Sequence, residues 1–182
     1  MDFFLNYLKE GDVLVNFAAE SHVDNSIKSS KIFFETNLMG THTLLECSRI
    51  KGIKLFVQIS TDEVYGSLSN TDSSSQETDL LYPSSPYSSS KAAAEMACFG
   101  YSKTFDMPII ITRSSNNYGP FQYPEKLIPL FLTNLIRGRK VPLYGNGKNI
   151  RDWIFVIDNC SAIDYIIHNG EINQIYNIGG EN

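Results

Sequence analysis

Lys54-Leu55-Phe56-Val57-Gln58-Ile59-Ser60 decides the fold. Apolar side chains fall on both parities of this run, at 55, 57 and 59 and again at 56. Both faces of such a strand must be covered, as they are inside a parallel sheet. Upstream, Val13-Leu14-Val15-Asn16-Phe17-Ala18-Ala19 has the same nearly continuous character. Between the two runs, Phe34, Leu38 and Leu45 recur at helical spacing. Ser29-Ser30 offer caps for that helix, Arg49 and Lys51 sit in its last turn, and Gly52 stops it. Downstream, an Ala-rich helix is expected over residues 88–103 and a third strand over 108–113. Strand, helix, strand, helix, strand with right-handed crossovers predicts an α/β fold with a doubly wound parallel sheet.

The flanks are less regular. Residues 2–10 read as a short amphipathic helix ending near Gly11. Residues 67–90 hold ten serines with Pro83 and Pro86, which suits a long loop over the carboxyl end of the sheet better than a linker. Beyond Gly119-Pro120 the pattern predicts an apolar helix over 127–137 and a turn around Tyr144-Gly145-Asn146-Gly147. A strand over 153–157, a short helix and a closing strand, Ile175-Tyr176-Asn177-Ile178, follow.

With 182 residues, 42% hydrophobic and 19% charged, the chain is long and apolar enough for one globular domain and is not a disordered sequence. A net charge of -5 argues against nucleic-acid binding through bulk positive charge. No apolar run approaches the ~18–20 residues that cross a bilayer, so no membrane partner is expected. The start, Met1-Asp2-Phe3-Phe4, lacks the basic leader of a signal peptide. Cys47, Cys98 and Cys160 are too scattered for a disulfide framework or a zinc pattern and read as buried or half-buried thiols in a reducing cytoplasm. His22, His42 and His168 show no metal-ligand spacing, and no metal is expected.

Tyr-x-x-x-Lys occurs twice. On a helix this spacing puts both side chains on one face, where a lysine ammonium favours the phenolate and tunes the tyrosine as a base. Tyr144/Lys148 lies in Tyr-Gly-Asn-Gly-Lys, a poor helix and a better turn. Tyr87/Lys91 starts the Ala-rich helix. Asp62 and Glu63 follow Thr61 at the carboxyl end of the second strand, and two neighbouring carboxyls that titrate apart can serve as acid and base. The small residues of Asn16-Phe17-Ala18-Ala19-Glu20-Ser21-His22 let a ligand approach a strand end closely. Ser114-Ser115-Asn116-Asn117-Tyr118-Gly119-Pro120 also follows a strand, and Arg151 beside Asp152-Trp153 can clamp a phosphate.

These motifs stand in one order along almost the whole chain: Ala18-Ala19-Glu20-Ser21-His22-Val23-Asp24, Ser60-Thr61-Asp62-Glu63-Val64-Tyr65-Gly66, Tyr87-Ser88-Ser89-Ser90-Lys91, Ser115-Asn116-Asn117-Tyr118-Gly119-Pro120, Pro124-Glu125-Lys126-Leu127-Ile128-Pro129 and Arg151-Asp152-Trp153. The sequence resembles the extended short-chain dehydrogenase/reductase superfamily and, within it, the dTDP-glucose 4,6-dehydratase family. The Asp-Glu pair is the specific element, since related epimerases and decarboxylases usually carry small or hydroxyl residues there. The resemblance implies an NAD-dependent lyase acting on a nucleotide-diphosphate sugar, as a homodimer. It implies catalytic roles for Tyr87 and Lys91 at the sugar's 4-hydroxyl, for Glu63 at the C5 proton, for Asp62 at the 6-hydroxyl and for Thr61 at the C4 oxygen. It places Ala18, Ala19, Glu20, Ser21, Thr36 and Asn117 against NAD, together with Tyr87 and Lys91 at the nicotinamide ribose. It places Ser21, Thr61, Asn116, Lys126, Leu127, Pro142, Leu143, Tyr144 and Arg151 against the substrate, Arg151 at the diphosphate. Residues 1–118 would be a truncated NAD-binding Rossmann-type core. Residues 119–182 would be part of the substrate-binding region with elements returning to the core.

The sequence also departs from that family. No cluster of three glycines precedes Val13, so the turn that seats a pyrophosphate is missing, as is the acidic residue expected about 20 positions later. Asn25 and Ile157 stand where the family often has arginine and an acidic residue. Both ends read as missing, which leaves an uncovered sheet edge and predicts weak NAD binding and little turnover by this chain alone. The alternatives are an epimerase or decarboxylase of the same superfamily and a non-catalytic binding remnant.

Overall fold

A computed structural model describes residues 1–68, 74–143 and 145–180. Four strands, β1 (Val13–Asn16), β2 (Leu55–Thr61), β3 (Ile109–Ser114) and β6 (Ile175–Ile178), form one sheet in the order β1-β2-β3-β6, and every pairing is parallel. Phe56, Ile109 and Ile111 pack on one face with Leu45 and Cys98 from helices α4 (Gly40–Lys51) and α5 (Pro86–Phe105). Leu55, Val57 and Ile110 pack on the other with Ile163 and Ile166 from α7 (Val156–Asn169). Burial on both parities is why β2 reads as unbroken hydrophobic sequence, and the doubly wound expectation holds.

Several boundaries differ from the sequence reading, each for a local reason. The first helix, α1 (Asp2–Tyr7), ends early because the Asp12 carboxylate takes the Lys9 backbone N–H at 2.8 Å and turns the chain. A short α2 (Val23–Lys28) precedes the long helix. Ser30 itself is helical and makes no side-chain cap. The long helix starts as α3 (Lys31–Phe33), widens to π-helical geometry over Phe34–Met39 and continues as α4 to a left-handed stop at Gly52. Helix α5 starts at Pro86, before the expected position, because Ser85 and Ser88 form a reciprocal capping box (3.1 and 3.0 Å) with proline in the first turn. Strand β5 (Trp153–Phe155) stops two residues before the expected end, and the helix after it is not short: α7 has 14 residues. Strand β4 (Asn116–Tyr118), absent from the sequence reading, pairs with β5 in a separate two-stranded sheet. Helix α6 (Leu127–Ile136) lies between them in sequence. Cys47 and Cys98 are buried as expected, whereas Cys160 is exposed on α7.

The serine-rich segment docks beside the carboxyl ends of β3 and β6. Arg113 donates to the Glu77 carbonyl (3.2 Å), and Asn177 donates through its backbone to the Glu77 carboxylate (2.9 Å) and through its side chain to the Ser75 carbonyl (3.1 Å). Further along, the Tyr82 N–H donates to the Val64 carbonyl (3.0 Å). Gly66 makes this close approach possible: its φ is +91°, and a Cβ would strike the Tyr82 carbonyl. Gly66→Ala is therefore expected to cost about 1–3 kcal/mol in urea unfolding and to free the segment for proteolysis.

Candidate active site

Thr61 is the last residue of β2, and its hydroxyl accepts the Glu63 N–H (3.3 Å), capping a 3₁₀ turn over Asp62–Tyr65. The strand thus hands directly to a turn that places both carboxyls at the sheet tip. The Thr61 hydroxyl also meets the Asp62 carboxylate at 3.3 Å. Tyr87, in the first turn of α5, is buried, with Thr61, Glu63 and Asp62 close enough to act on its phenol. One turn on, the Lys91 ammonium donates to the Ile59 carbonyl at 2.6 Å. That carbonyl also receives Gln58 Nε2 (3.3 Å), and Gln58 Oε1 accepts from Asn16 (2.9 Å). The phenol and the two acids therefore converge on one sheet tip.

Burial dominates the electrostatics. It raises Asp62 above the ordinary carboxylate range, and the Asp152 charge adds to that, against the Thr61 hydrogen bond and Arg151. Burial and then the Asp62 charge raise Glu63, against Arg151 and Lys126. Lys91 is pushed down to about 8 by burial, against the Glu95 charge. Tyr87 is raised by burial and the facing carboxylates. This corrects the simple expectation for the Tyr-x-x-x-Lys pair: Lys91 is anchored on a β2 carbonyl, and burial outweighs any help to the phenol.

A stability prediction follows from the acid pair. The folded chain holds the Asp62 proton more tightly than the unfolded chain, so stability is lost as pH rises from the ordinary value near 3.8 through the raised folded value. Asp62→Asn removes that loss. The variant is expected to be more stable than the parent by about 0.5–2 kcal/mol at pH 8. The gain should shrink toward zero below the ordinary carboxylate value, as melting followed across pH would show.

The predicted cofactor wall leaves β1. Ala18 N–H donates to Asn16 Oδ1 (3.2 Å), and Asn37 clasps the backbone of Glu20 from both sides (2.8 and 3.0 Å) while donating to Ser90 (2.8 Å). Thr36 and Asn37 sit in the π-helical stretch, a distortion frequent at functional sites. The predicted cofactor and substrate walls meet at Ser21, whose carbonyl accepts from Lys126 at 2.6 Å. Burial pushes Lys126 down, against the Glu63 and Glu125 charges. Asn116 binds the Asp152 carbonyl through its backbone (3.2 Å) and side chain (3.4 Å), which brings Arg151 toward the acids. Leu127 is half exposed at the start of α6, while Pro142 and Leu143 are exposed. Tyr144 lies outside the described residues.

Asn16, Asn37, Gln58 and Asp152 organise the site and were missed as such by motif reading. Polar residues inside apolar strands were the available signal for Asn16 and Gln58. Ser60 Oγ, Ser115 Oγ, Asn117 Oδ1 and His22 Nδ1 are buried without a hydrogen-bond partner among the described residues. All four belong to the strand ends or the loops leaving them.

The sequence profile of the GDP-mannose 4,6 dehydratase family matches residues 7–182. A low-salt glycan biosynthesis protein, Agl12, from Haloferax volcanii is 49% identical over 93% of this chain and 54% of its own length. A dTDP-glucose 4,6-dehydratase from Streptomyces antibioticus is 47% identical over 95% of this chain and 51% of its own. Among solved structures, a double mutant of the dTDP-glucose 4,6-dehydratase DesIV from Streptomyces venezuelae, crystallised with NAD, superposes with a TM-score of 0.95 at 45% identity. It covers 98% of this chain and 55% of that one. A UDP-glucuronic acid 4-epimerase from Bacillus cereus, also with NAD, reaches 0.92 at 28% identity, covering 98% and 57%. The chain spans about half the length of the curated relatives it matches. With the profile matching from residue 7 to the end, the chain belongs to the GDP-mannose 4,6 dehydratase family.

Proposed function

We propose that this chain carries the acid–base centre of an NAD-dependent nucleotide-sugar 4,6-dehydratase, a lyase that converts dTDP-glucose to dTDP-4-keto-6-deoxyglucose. One observation carries the reading: two raised carboxyls, Asp62 and Glu63, lie beside a buried tyrosine and Thr61 at one strand tip. An epimerase that only oxidises and re-reduces one carbon has no work for two such acids. The dTDP base rests on the similar dehydratases.

The residues present fit the nicotinamide half of the cofactor. Small side chains at Ala18 and Ala19 allow close approach, and the unpartnered Asn117 Oδ1 is a buried acceptor on β4. Glu20, Ser21 and Thr36 would complete that wall, with Tyr87 and Lys91 at the ribose. When bound, NAD+ would accept a hydride from the sugar's C4 and later return it to C6.

Once ionised to the phenolate, Tyr87 takes the proton of the 4-hydroxyl, and Thr61 holds the same oxygen. The resulting ketone acidifies the C5 hydrogen, which Glu63 removes. A raised carboxylate is a stronger base than a free one, which suits that step. Asp62, whose proton is held more tightly because of burial, gives it to the 6-hydroxyl, which leaves as water. The proton on Asp62 also weakens the charge that opposes ionisation of Tyr87. Asn116, Lys126, Leu127, Pro142, Leu143 and Tyr144 would line the nucleotide-sugar side, with Arg151 on the diphosphate.

The reading extends to a substrate-region boundary near residue 119, to a cytoplasmic setting supported by three free cysteines, and to a homodimer. The exposed Ile32, Met39 and Met96 on the helices of one face support the homodimer. Among the described residues no helix is long and apolar enough to cross a membrane. The test is incubation of the chain with NAD+ and dTDP-, UDP- or GDP-hexoses, followed by mass spectrometry of the sugar. Loss of one water with a new ketone supports the reading. A 4-epimer of unchanged mass would favour the epimerase, and measured NAD+ binding without conversion of any donor would favour a binding remnant.

A further inference from the structure

Glu95 is fully buried, and so is Arg113, with which it forms three hydrogen bonds at 2.7–3.2 Å. The pair bridges α5 to β3. Glu95 stands four residues after Lys91, one turn along the same helix face. Lys91 bridges that face to β2 through the Ile59 carbonyl, and Ile59 and Ser60 pair with Thr112 and Arg113 across the sheet. Two successive turns of α5 are thus bolted to neighbouring strands. The turn before them carries Tyr87.

We propose that Glu95, held by Arg113, is a positioning residue of the site: it sustains the charge on Lys91 and fixes the turn of α5 that presents Tyr87 to Thr61. The role assigned to Lys91 rests on the dehydratase reading, but the charge relation between Glu95 and Lys91 is a property of this chain alone.

The charged and titratable groups around Lys91 leave Glu95 as the one able to sustain its charge. On α5 itself, Tyr87 is held neutral, and burial pushes Cys98 up to about 12, so it too is neutral at physiological pH. From β3, Arg113 is cationic and opposes a second cation. The 3₁₀ turn contributes Tyr65, which takes an Arg113 N–H at 2.7 Å, and the two acids, which face Tyr87. Strand β2 contributes only neutral polar groups, Gln58, Ser60 and Thr61, and the Ile59 carbonyl. Glu95 is therefore the anion that offsets both Arg113 and Lys91.

The test is a titration that needs no turnover. The chain is labelled with 13Cε-lysine, the Lys91 resonance is assigned with Lys91→Arg, and its midpoint is followed with pH in the parent, in Glu95→Gln and in Glu95→Gln/Arg113→Gln. Glu95→Gln leaves Arg113 unopposed and should lower the Lys91 midpoint by about one unit or more. The double variant, which removes anion and cation together, should fall between that variant and the parent. A purely structural role predicts the reverse, because a loosened helix admits water and returns Lys91 toward its ordinary value. A midpoint that rises or stays unchanged in Glu95→Gln overturns the proposal. If that variant does not fold, a rise in the double variant overturns it and a fall supports it. Failure of the dehydration assay with a normal Lys91 shift would remove the proposed reaction and leave this relation standing.

Discussion

Glu63→Gln is expected to lower dehydration by about 10²–10⁴-fold, the usual contribution of a positioned general base. The substitution keeps the size of the side chain and its place in the 3₁₀ turn, so the fold should survive. Oxidation at C4 uses Tyr87 and Thr61, not Glu63, and should continue. The variant should therefore stall with the nicotinamide reduced and the sugar's C5 hydrogen unexchanged. Both can be read directly, the first from the absorbance of reduced nicotinamide and the second from deuterium uptake at C5. Normal deuterium uptake in Glu63→Gln would remove Glu63 from the C5 step. Loss of C4 oxidation as well would favour the epimerase reading.

The second large effect concerns stability. Arg113→Met should destabilise the chain by about 3–5 kcal/mol, because it leaves the buried Glu95 carboxylate without its hydrogen-bonded counter-ion. Urea unfolding should show the loss as a lower midpoint. The partners of Arg113 extend the damage: Tyr65 and the Glu77 carbonyl lose a donor in the same step. Replacing both members, as Arg113→Met/Glu95→Leu, should recover most of the loss, since a well-packed apolar pair avoids the desolvation of two ions. A double variant as unstable as the single one would show that the pair's geometry, not the orphaned charge, carries the cost.

The parts legible in the sequence are those governed by short-range pattern. Strand β2 announced itself because both faces are covered, and β6 was read with its observed bounds. The acid pair was legible because polarity switches abruptly at Thr61. Helix α5 was started late because a Ser-Ser capping box looks like loop sequence until its hydrogen bonds are seen. Strand β4 was missed because three residues, Asn116–Tyr118, carry no periodicity and exist only by pairing with β5, more than thirty positions away. The direction of the Tyr87 shift was missed for a different reason. Spacing on a helix shows which groups are neighbours, but the balance between a nearby cation and burial depends on the depth of the site.

The knot around Asn177 has a consequence for biosynthesis. Its bonds to Tyr65, Glu77 and Ser75 span about a hundred positions. Strand β6 joins the sheet beside β3 only after everything between has been made. On a ribosome, the carboxyl tips of β2 and β3 would emerge with their clamp still unsynthesised. Such long-range closure slows folding, so the serine-rich segment should remain accessible to chaperones until β6 has left the exit tunnel.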